Sequence, residues 1–365
     1  MDISALGLDT REGLRDYLER RPQPFEVLNA SQINRLTPSQ RRTYDETRIA
    51  RLSSDHFLQL PQFSRVLNEV AKIDRYNRPL TRQSSGNLRA CGRRGVMISG
   101  DSGTGKTTSC MASLSERWWF YRKRGLGQSL DEAPIVYLGV PPAATAKSMA
   151  GALAEYLAVP HRPRDTLAEI LDRVTMTLST LGTRIVAIDE LHNLAVRTST
   201  TGESAQVLKA LYNRVNATFI YAGMSIDKQA LVEGPIGSQI RARFVPVVLH
   251  PYAYGTTETD GGRQDQAIWR GILNSFIPEL MLGNQSAGKL CKLSRYLHLR
   301  TSGSIGALGY LLTTAAQELI GQHLPAEKEY LTVSELDNIT LDLHSEEISD
   351  WYRSNVQHKR RSHAA

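Results

Sequence analysis

Residues 100–107 read GDSGTGKT and match the pattern G-x-x-x-x-G-K-[ST]. An apolar run, residues 95–99, precedes them and a helical stretch, residues 107–121, follows, which is the context that this phosphate-binding motif requires. Its glycines allow successive backbone N–H groups to point at a phosphate, and the helix N-terminus adds its dipole. Lys106 would reach the β- and γ-phosphates of ATP, and the Thr107 hydroxyl would bind Mg²⁺. The predicted nucleotide-binding residues of this loop are Gly100, Asp101, Ser102, Gly103, Thr104, Gly105, Lys106, Thr107 and Thr108.

A second apolar run, residues 184–188, ends in two carboxylates. Asp189 would bind Mg²⁺ beside the nucleotide through water, and Glu190 would orient and polarise the water that attacks the γ-phosphate. A P-loop kinase delivers phosphate to a bound substrate and does not need that glutamate, so the pair favours hydrolysis. The alternative is an acidic strand end with a structural role only. We therefore predict an ATPase with Lys106 and Glu190 among its catalytic residues.

The sequence signals for four further residues are less specific. Ser225 follows another apolar run and is a candidate to contact the γ-phosphate, although it could equally cap the next helical segment. Asn193 is its rival. Arg243 and, as second choice, Arg241 precede the last apolar run, where an arginine could neutralise transition-state charge in a neighbouring subunit. A structural or surface role is the alternative for both arginines.

The elements that must position these residues follow a regular order. Short apolar runs alternate with helical stretches between residues 91 and 252, which predicts an α/β domain with a parallel sheet and helices on both faces. The predicted strands are residues 95–99, 133–138, 184–188, 217–222 and 244–249, and the main helices between them are residues 107–121, 146–157, 165–178 and 204–213.

The flanking regions contain helical patterns without strand signals. Residues 1–90 form a charged helical N-terminal extension, residues 253–345 a small helical lid domain, and residues 346–365 a basic tail. We expect the nucleotide between the α/β domain and the lid. Helices are predicted over residues 10–20, 37–51, 265–275, 288–299, 305–322 and 332–342, and the second of them starts at Thr37 with a proline in its first position.

Composition narrows the class of protein. The 365-residue chain has a net charge of +7, which fits either a solvated basic surface or a polyanionic partner. It has three widely spaced cysteines, no basic–apolar leader and no apolar run of membrane length, so we expect a cytoplasmic protein without a disulfide framework or a zinc site. The basic and aromatic residues 117–124 (RWWFYRKR) favour helix packing over nucleic-acid stacking. The better candidates for DNA binding are Lys147, Arg162 and Arg164, after the second strand.

The ordered set of motifs resembles the TniB/TnsC family of AAA+ ATPases from transposons over residues 35–340. It comprises GDSGTGKT, PIVYLGV, RIVAIDELHNL, FIYAGMS, QIRARF and TSGSIGALGYLL. The P-loop and acid pair are widespread, whereas TPSQRRTY at 37–44, DELH at 189–192, the Ala-Gly strand end at 222–223 and SIG at 304–306 are more specific. The resemblance implies an AAA+ fold and an ATP- and Mg²⁺-dependent homo-oligomer, a ring or filament, on double-stranded DNA. Such a protein links target-selector proteins to the transposase and is reset by ATP hydrolysis, and Lys147 falls where a DNA-contacting lysine of the family would lie.

Two positions depart from the family pattern. Ala307 stands where a sensor arginine is common in the late helix, with Arg300 as a possible replacement, and Met224 stands where a threonine is common after the fourth strand. Both departures concern nucleotide sensing, so we expect slow hydrolysis that assembly stimulates. Two other functions stay open at this point: another AAA+ class, such as a helicase loader or replication initiator, and a nucleotide-dependent signalling switch that acts through protein contacts without DNA.

Overall fold

The computed structural model describes residues 7–21, 25–54, 58–77, 92–194, 201–228, 234–342 and 345–347. The chain divides into two compact units, one formed by residues 1–22 and 61–249, the other by residues 23–60 and 250–365. The predicted N-terminal extension therefore contributes helices to both units. The sequence also predicts a break in the helical pattern at residues 77–79 and 82–87. All of this break beyond Asn77, and nearly all of the basic tail, lie outside the described residues.

The elements begin and end close to the predicted positions. The strands are β1 (Gly95–Gly100), β2 (Ile135–Gly139), β3 (Ile185–Asp189), β4 (Thr218–Gly223) and β5 (Phe244–Leu249). The α-helices, in chain order, are α1 (Arg11–Glu19), α2 (Ala30–Ile33), α3 (Pro38–Leu52), α4 (Pro61–Asn77), α5 (Lys106–Arg122), α6 (Ala146–Tyr156), α7 (Leu167–Thr180), α8 (Thr201–Arg214), α9 (Gly234–Arg241), α10 (Asp260–Phe276), α11 (Ala287–Lys292), α12 (Ser294–Thr301), α13 (Ile305–Gly321) and α14 (Val333–Asp337).

The five strands form one parallel sheet in the order β2-β3-β4-β1-β5, which confirms the predicted fold class. Strands β1, β3 and β4 are buried along their whole length, as expected for a parallel sheet that helices cover. The order places β4 between the strand that leads into the P-loop and the strand that carries the two carboxylates. Because parallel strands end at the same edge, the ends of β1, β3 and β4 lie side by side there.

The predicted packing role of residues 117–124 is confirmed. Trp118 is 3% exposed, and the guanidinium of Arg21 lies 4.5 Å from the ring centroid of Trp119, so α1 and the residues after it pack on the end of α5. The Tyr121 hydroxyl donates to Asp74 of α4 at 2.6 Å. Two helices of the N-terminal region therefore brace the helix that begins at the P-loop.

The described parts of the second unit, residues 23–60 and 250–365, contain helices and no strands, and we call it the helical unit. It differs from the prediction in two places. The helix expected over residues 288–299 is two helices, because Leu293 ends α11 and precedes α12. The helix expected over residues 332–342 ends at Asp337, because Ile339 O accepts from Arg300 and Leu341 N–H donates to Glu346, contacts that pull the chain out of helical geometry. In contrast, α3 starts as predicted, with a capping box between Thr37 and Gln40.

Candidate functional site

The loop between β1 and α5 has the backbone that phosphate binding needs. Gly103 and Gly105 are left-handed, with φ of 72° and 84°. A Cβ at Gly105 would also lie 2.3 Å from the ring of Phe63 on α4, so only glycine fits. No side chain caps α5 at Gly105, which leaves the first N–H groups of the helix to an anion. Asp101 and Ser102 are exposed at the tip of the loop. The Thr104 hydroxyl donates to Asp101 O at 2.7 Å, a hydrogen bond within the loop that stabilises its turn.

Lys106 is the buried cation of this loop. Its side chain belongs to a residue that is 8% exposed, and its Nζ donates to Asp101 O at 2.7 Å. Burial lowers the pKa of Lys106, and the charges of Glu190, Asp189 and Asp101 partly offset that effect. The structure therefore brings the two carboxylates at the end of β3 into the electrostatic field of the P-loop lysine.

Asp189 is fully buried and held from two sides. Its Oδ1 accepts from the Glu190 N–H at 2.7 Å, and its Oδ2 accepts from the Tyr137 hydroxyl at 3.0 Å. Burial, together with the charge of Asp189, raises the pKa of Tyr137 well above its usual range, so this hydroxyl stays protonated and donates. Sequence reasoning missed Tyr137. The register of β2 against β3 is what identifies Tyr137. Gly139 of β2 pairs with Asp189, and Tyr137 lies two residues earlier on the same face of the sheet.

The oxygen atoms near the P-loop fit a magnesium ion. Thr107 and Thr108 are half-buried in the first turn of α5, and Asp189 ends β3. Each Asp189 oxygen accepts one protein hydrogen bond and keeps a lone pair for a bound water. Hydroxyl and carboxylate oxygens are the ligands that Mg²⁺ prefers. These residues could therefore hold the ion beside the phosphates.

Glu190 has an unusual backbone for a residue with a side chain. Its φ and ψ are 55° and 33°, in the left-handed region, and its C=O accepts from Asn193 N–H at 2.8 Å. The carboxylate is about one-third exposed and lies 3.3 Å from His192 Nδ1. Strained backbone of this kind is concentrated at functional sites. The turn thus presents a partly solvated carboxylate next to the buried Asp189.

The end of β4 carries the Ser225 candidate. Ser225 is left-handed, with φ 48°, and lies two residues beyond Gly223, which pairs with Ser99 of β1. The Ser99 hydroxyl donates to Asp227, which ties this turn to the strand before the P-loop. The rival Asn193 uses its amide to donate to Val140 O at 2.9 Å, a contact that braces the end of β2. The role of Ser225 stays a prediction.

The structure separates Arg241 and Arg243 from the P-loop of their own chain. Phe244 pairs with Gly95 and Leu249 with Gly100, so Arg243 lies at the opposite edge of the sheet. Five residues of strand separate the two edges, about 17 Å. Arg243 donates to Asn213 Oδ1 at 2.8 Å and lies 5.5 Å from the ring of Tyr212, whereas Arg241 is exposed. Neither arginine can serve the site of its own subunit.

The three predicted DNA-binding residues lie in one patch. Lys147, in the first turn of α6, donates from Nζ to Pro163 O at 2.8 Å, which places it against the segment with Arg162 and Arg164. All three cations are exposed. Asp165 accepts from the Arg162 N–H at 3.0 Å and fixes the bend of this segment. We name Lys147, Arg162 and Arg164 the α6 basic patch.

Arg300 does not replace the arginine that the family pattern places at Ala307. Its guanidinium is buried in the helical unit and donates to Glu346 at 2.9 Å, to Ile339 O at 2.7 Å and to Asp337 at 3.3 Å. These contacts hold the chain after α14 and engage the guanidinium inside its own unit. The open alternative for Arg300 is therefore wrong.

Comparisons with known proteins agree with this geometry. The family described as "Bacterial TniB protein" matches residues 48–254, more than half of the chain. The ORC1 protein of Aeropyrum pernix, solved in complex with DNA, has a TM-score of 0.56 at 17% identity, and the match covers 80% of this chain and 68% of that chain. Cdc6p from Pyrobaculum aerophilum has a TM-score of 0.50 at 15% identity, with 76% and 67% covered.

At these identities the two structures establish the fold alone, and no curated protein sequence gives a significant match. None of the helices in the described parts of the chain is long and apolar enough to cross a membrane. The parallel sheet of five strands and the likeness to these two structures indicate a P-loop α/β fold with helical extensions. With more than half of its length matching the family, this chain belongs to the TniB family.

Proposed function

We propose that this protein is an ATP-dependent regulator of transposition that assembles on double-stranded DNA, links target-selector proteins to the transposase and is reset by ATP hydrolysis. Its membership of the TniB family supports the biological role. The observation that supports the chemistry is the buried Lys106, on which the charges of Glu190 and Asp189 act at the edge of the sheet. A P-loop without these carboxylates would only support nucleotide binding.

In the proposed reaction, the loop N–H groups and Lys106 bind the β- and γ-phosphates. Glu190 accepts a proton from a water that attacks the γ-phosphorus, the bond to the β–γ bridging oxygen breaks, and ADP and phosphate form. Thr107 and Asp189 would hold a Mg²⁺ ion, which would neutralise charge on the phosphate oxygens. Tyr137 keeps the Asp189 carboxylate in one orientation, as a residue that acts through another.

The test of this function is assembly on DNA. With a non-hydrolysable ATP analogue and duplex DNA, we expect rings or filaments in electron micrographs, and with either component alone we expect much smaller particles. Particles that stay monomeric with both components would overturn the transposition proposal and favour a signalling switch. A helicase loader shares the site, and adding the transposase of the same element separates the two, because only the transposition regulator should recruit it.

A matched pair of single-charge variants tests the α6 basic patch in the same assay. We expect Lys147→Ala to weaken DNA binding and to lower the slope of log affinity against log salt by roughly 0.9, because one phosphate contact releases about one counterion. Lys123→Ala removes another exposed lysine, at the end of α5, and should leave both quantities unchanged. Equal losses in the two variants would show that overall charge, and not the α6 basic patch, binds the DNA.

A mixing experiment tests whether Arg243 acts on a neighbouring subunit. We expect Arg243→Ala to lower DNA-stimulated turnover by about 10³-fold, the lower end for loss of such an arginine. Mixed one to one with Glu190→Gln, which keeps Arg243, it should recover roughly a quarter of the wild-type rate, because a quarter of the head-to-tail interfaces then pair an intact site with an intact arginine. No recovery, or equal loss in Arg241→Ala, would contradict the assignment.

A further inference from the structure

His192 lies in the 3₁₀ turn Leu191–Asn193, directly after the strand that carries the carboxylates. Its imidazole is 17% exposed. The Nδ1 atom lies 3.3 Å from Glu190 Oε2 and 3.3 Å from Met224 N, so one ring nitrogen contacts both the proposed water-activating residue and the end of β4.

The turn lies directly against β4. A Cβ at Gly223 would come within 3.1 Å of Leu191 N and 3.2 Å of His192 N, so the backbone of the turn and the strand end are in close contact. The next residue, Met224, exposes an apolar side chain. Met224 therefore contacts the turn through its main-chain N–H, which lies within hydrogen-bond distance of His192 Nδ1.

The two contacts of Nδ1 require opposite states of that atom. It can accept from the Met224 N–H only when it carries no proton, and it can donate to Glu190 only when it carries one. Both states are tautomers of a neutral imidazole, so neither needs a change in net charge. Since one nitrogen cannot make both hydrogen bonds at once, the arrangement has two alternatives.

We propose that His192 is a positioning residue that links the end of β4 to the Glu190 carboxylate. With Nδ1 donating to Glu190, the carboxylate is held in one orientation, from which its charge acts on Lys106. With Nδ1 accepting from Met224, the carboxylate is released. The main chain of Met224, acting through His192, thus does the work of a polar side chain at the end of β4. This inference rests on the proposed ATPase function.

The test measures steady-state ATP turnover, with and without duplex DNA, in three His192 variants and two control variants of the full chain. We expect His192→Ala to lower kcat about tenfold, because the hydrogen bond from His192 to the charged Glu190 is lost. The KM for ATP should stay within twofold of wild type, because this hydrogen bond acts in the chemical step and not in nucleotide binding. His192→Asn places an amide nitrogen at the same bond distance from the backbone as Nδ1 and should restore most of kcat. His192→Gln places its amide one bond farther and should not.

His161→Ala is the matched histidine control. It lies on the same unit, 3.8 Å from Glu155 and outside the nucleotide site, and should leave kcat unchanged. Wild-type kcat in His192→Ala, a raised KM in place of a lowered kcat, or equal rescue by Asn and Gln would overturn the inference alone. Turnover by the wild-type protein no higher than that of Lys106→Ala, with duplex DNA present, would instead overturn the proposed hydrolysis itself.

Discussion

Glu190→Gln is expected to bind ATP with wild-type affinity and to turn it over roughly 10²–10⁴-fold more slowly, the usual effect of losing a positioned general base. The amide has the shape of the carboxylate, so the left-handed backbone and the Glu190 N–H contact with Asp189 are kept. Phosphate release measures turnover, and a fluorescent ATP analogue measures binding. Because the proposed function couples hydrolysis to disassembly, this variant should also leave assemblies on DNA that persist after excess ATP is removed.

Lys106→Ala provides the contrast for that result. It removes the buried cation and should weaken ATP binding itself, since Lys106 is placed to neutralise the phosphates. The two variants therefore separate chemistry from binding, which a loss of activity alone would not do. Hydrolysis at the wild-type rate by Glu190→Gln would show that another group activates the water and would remove the basis for His192 as well.

The sequence was sufficient to predict those parts of the site that depend on local pattern. The five strands, the start of α5 and the position of the carboxylates all follow from apolar periodicity and from a motif of fixed spacing. The parallel order then brings the ends of β1 and β3 to one edge without further information. This is why Lys106, Asp189 and Glu190 could be predicted to lie at one edge of the sheet before any geometry was known.

Contacts between distant segments could not be predicted in this way. The bond from Tyr137 to Asp189 depends on the pairing of β2 with β3, which is set by the sheet and not by either strand alone. The same holds for Phe63, whose ring closes on Gly105 from a helix that looked like part of a featureless extension. From the sequence, Arg300 could be considered as a replacement for the sensor arginine, because its side-chain partners Asp337 and Glu346 lie 37 and 46 residues later in the chain.

The clearest case of such a long-range contact is the ion-pair cluster that joins α3 to the later part of the helical unit, around Met281 and Glu329. Arg48 is fully buried and donates to Glu329 at 2.7 Å, 281 residues away, and to Met281 O at 2.8 Å. Asp45 accepts from Arg48 and Arg41, and Arg41 also contacts Glu329. Two buried carboxylates and one buried guanidinium thus compensate one another, and His323 and the half-buried Arg41 also contact Asp45.

The pKa of Asp45 shows that this cluster favours the ionised carboxylate. Burial alone would raise the pKa, but hydrogen bonds from Arg41, Arg48 and His323 outweigh it and hold the pKa below its usual 3.8. A carboxyl whose folded pKa lies below its unfolded value stabilises the fold fully above that unfolded value. Its contribution is lost as the pH falls through the lower folded pKa, so the cluster is complete at neutral pH.

Arg48→Ala is therefore expected to lower the free energy of unfolding of the helical unit by about 3–5 kcal/mol, because it leaves Asp45 and Glu329 buried without their shared cation. Urea denaturation at pH 7 measures the change. Arg42 is an exposed arginine on the same helix, and Arg42→Ala should shift the value by less than about 0.5 kcal/mol.

A triple variant neutralises the two carboxylates together with the arginine: Arg48→Met with Asp45→Asn and Glu329→Gln. It should regain part of the loss, since the penalty comes from unpaired charge and not from lost volume. If Arg48→Ala costs no more than Arg42→Ala, the cluster does not hold α3 in the helical unit, and the helix must be held there by its apolar face alone.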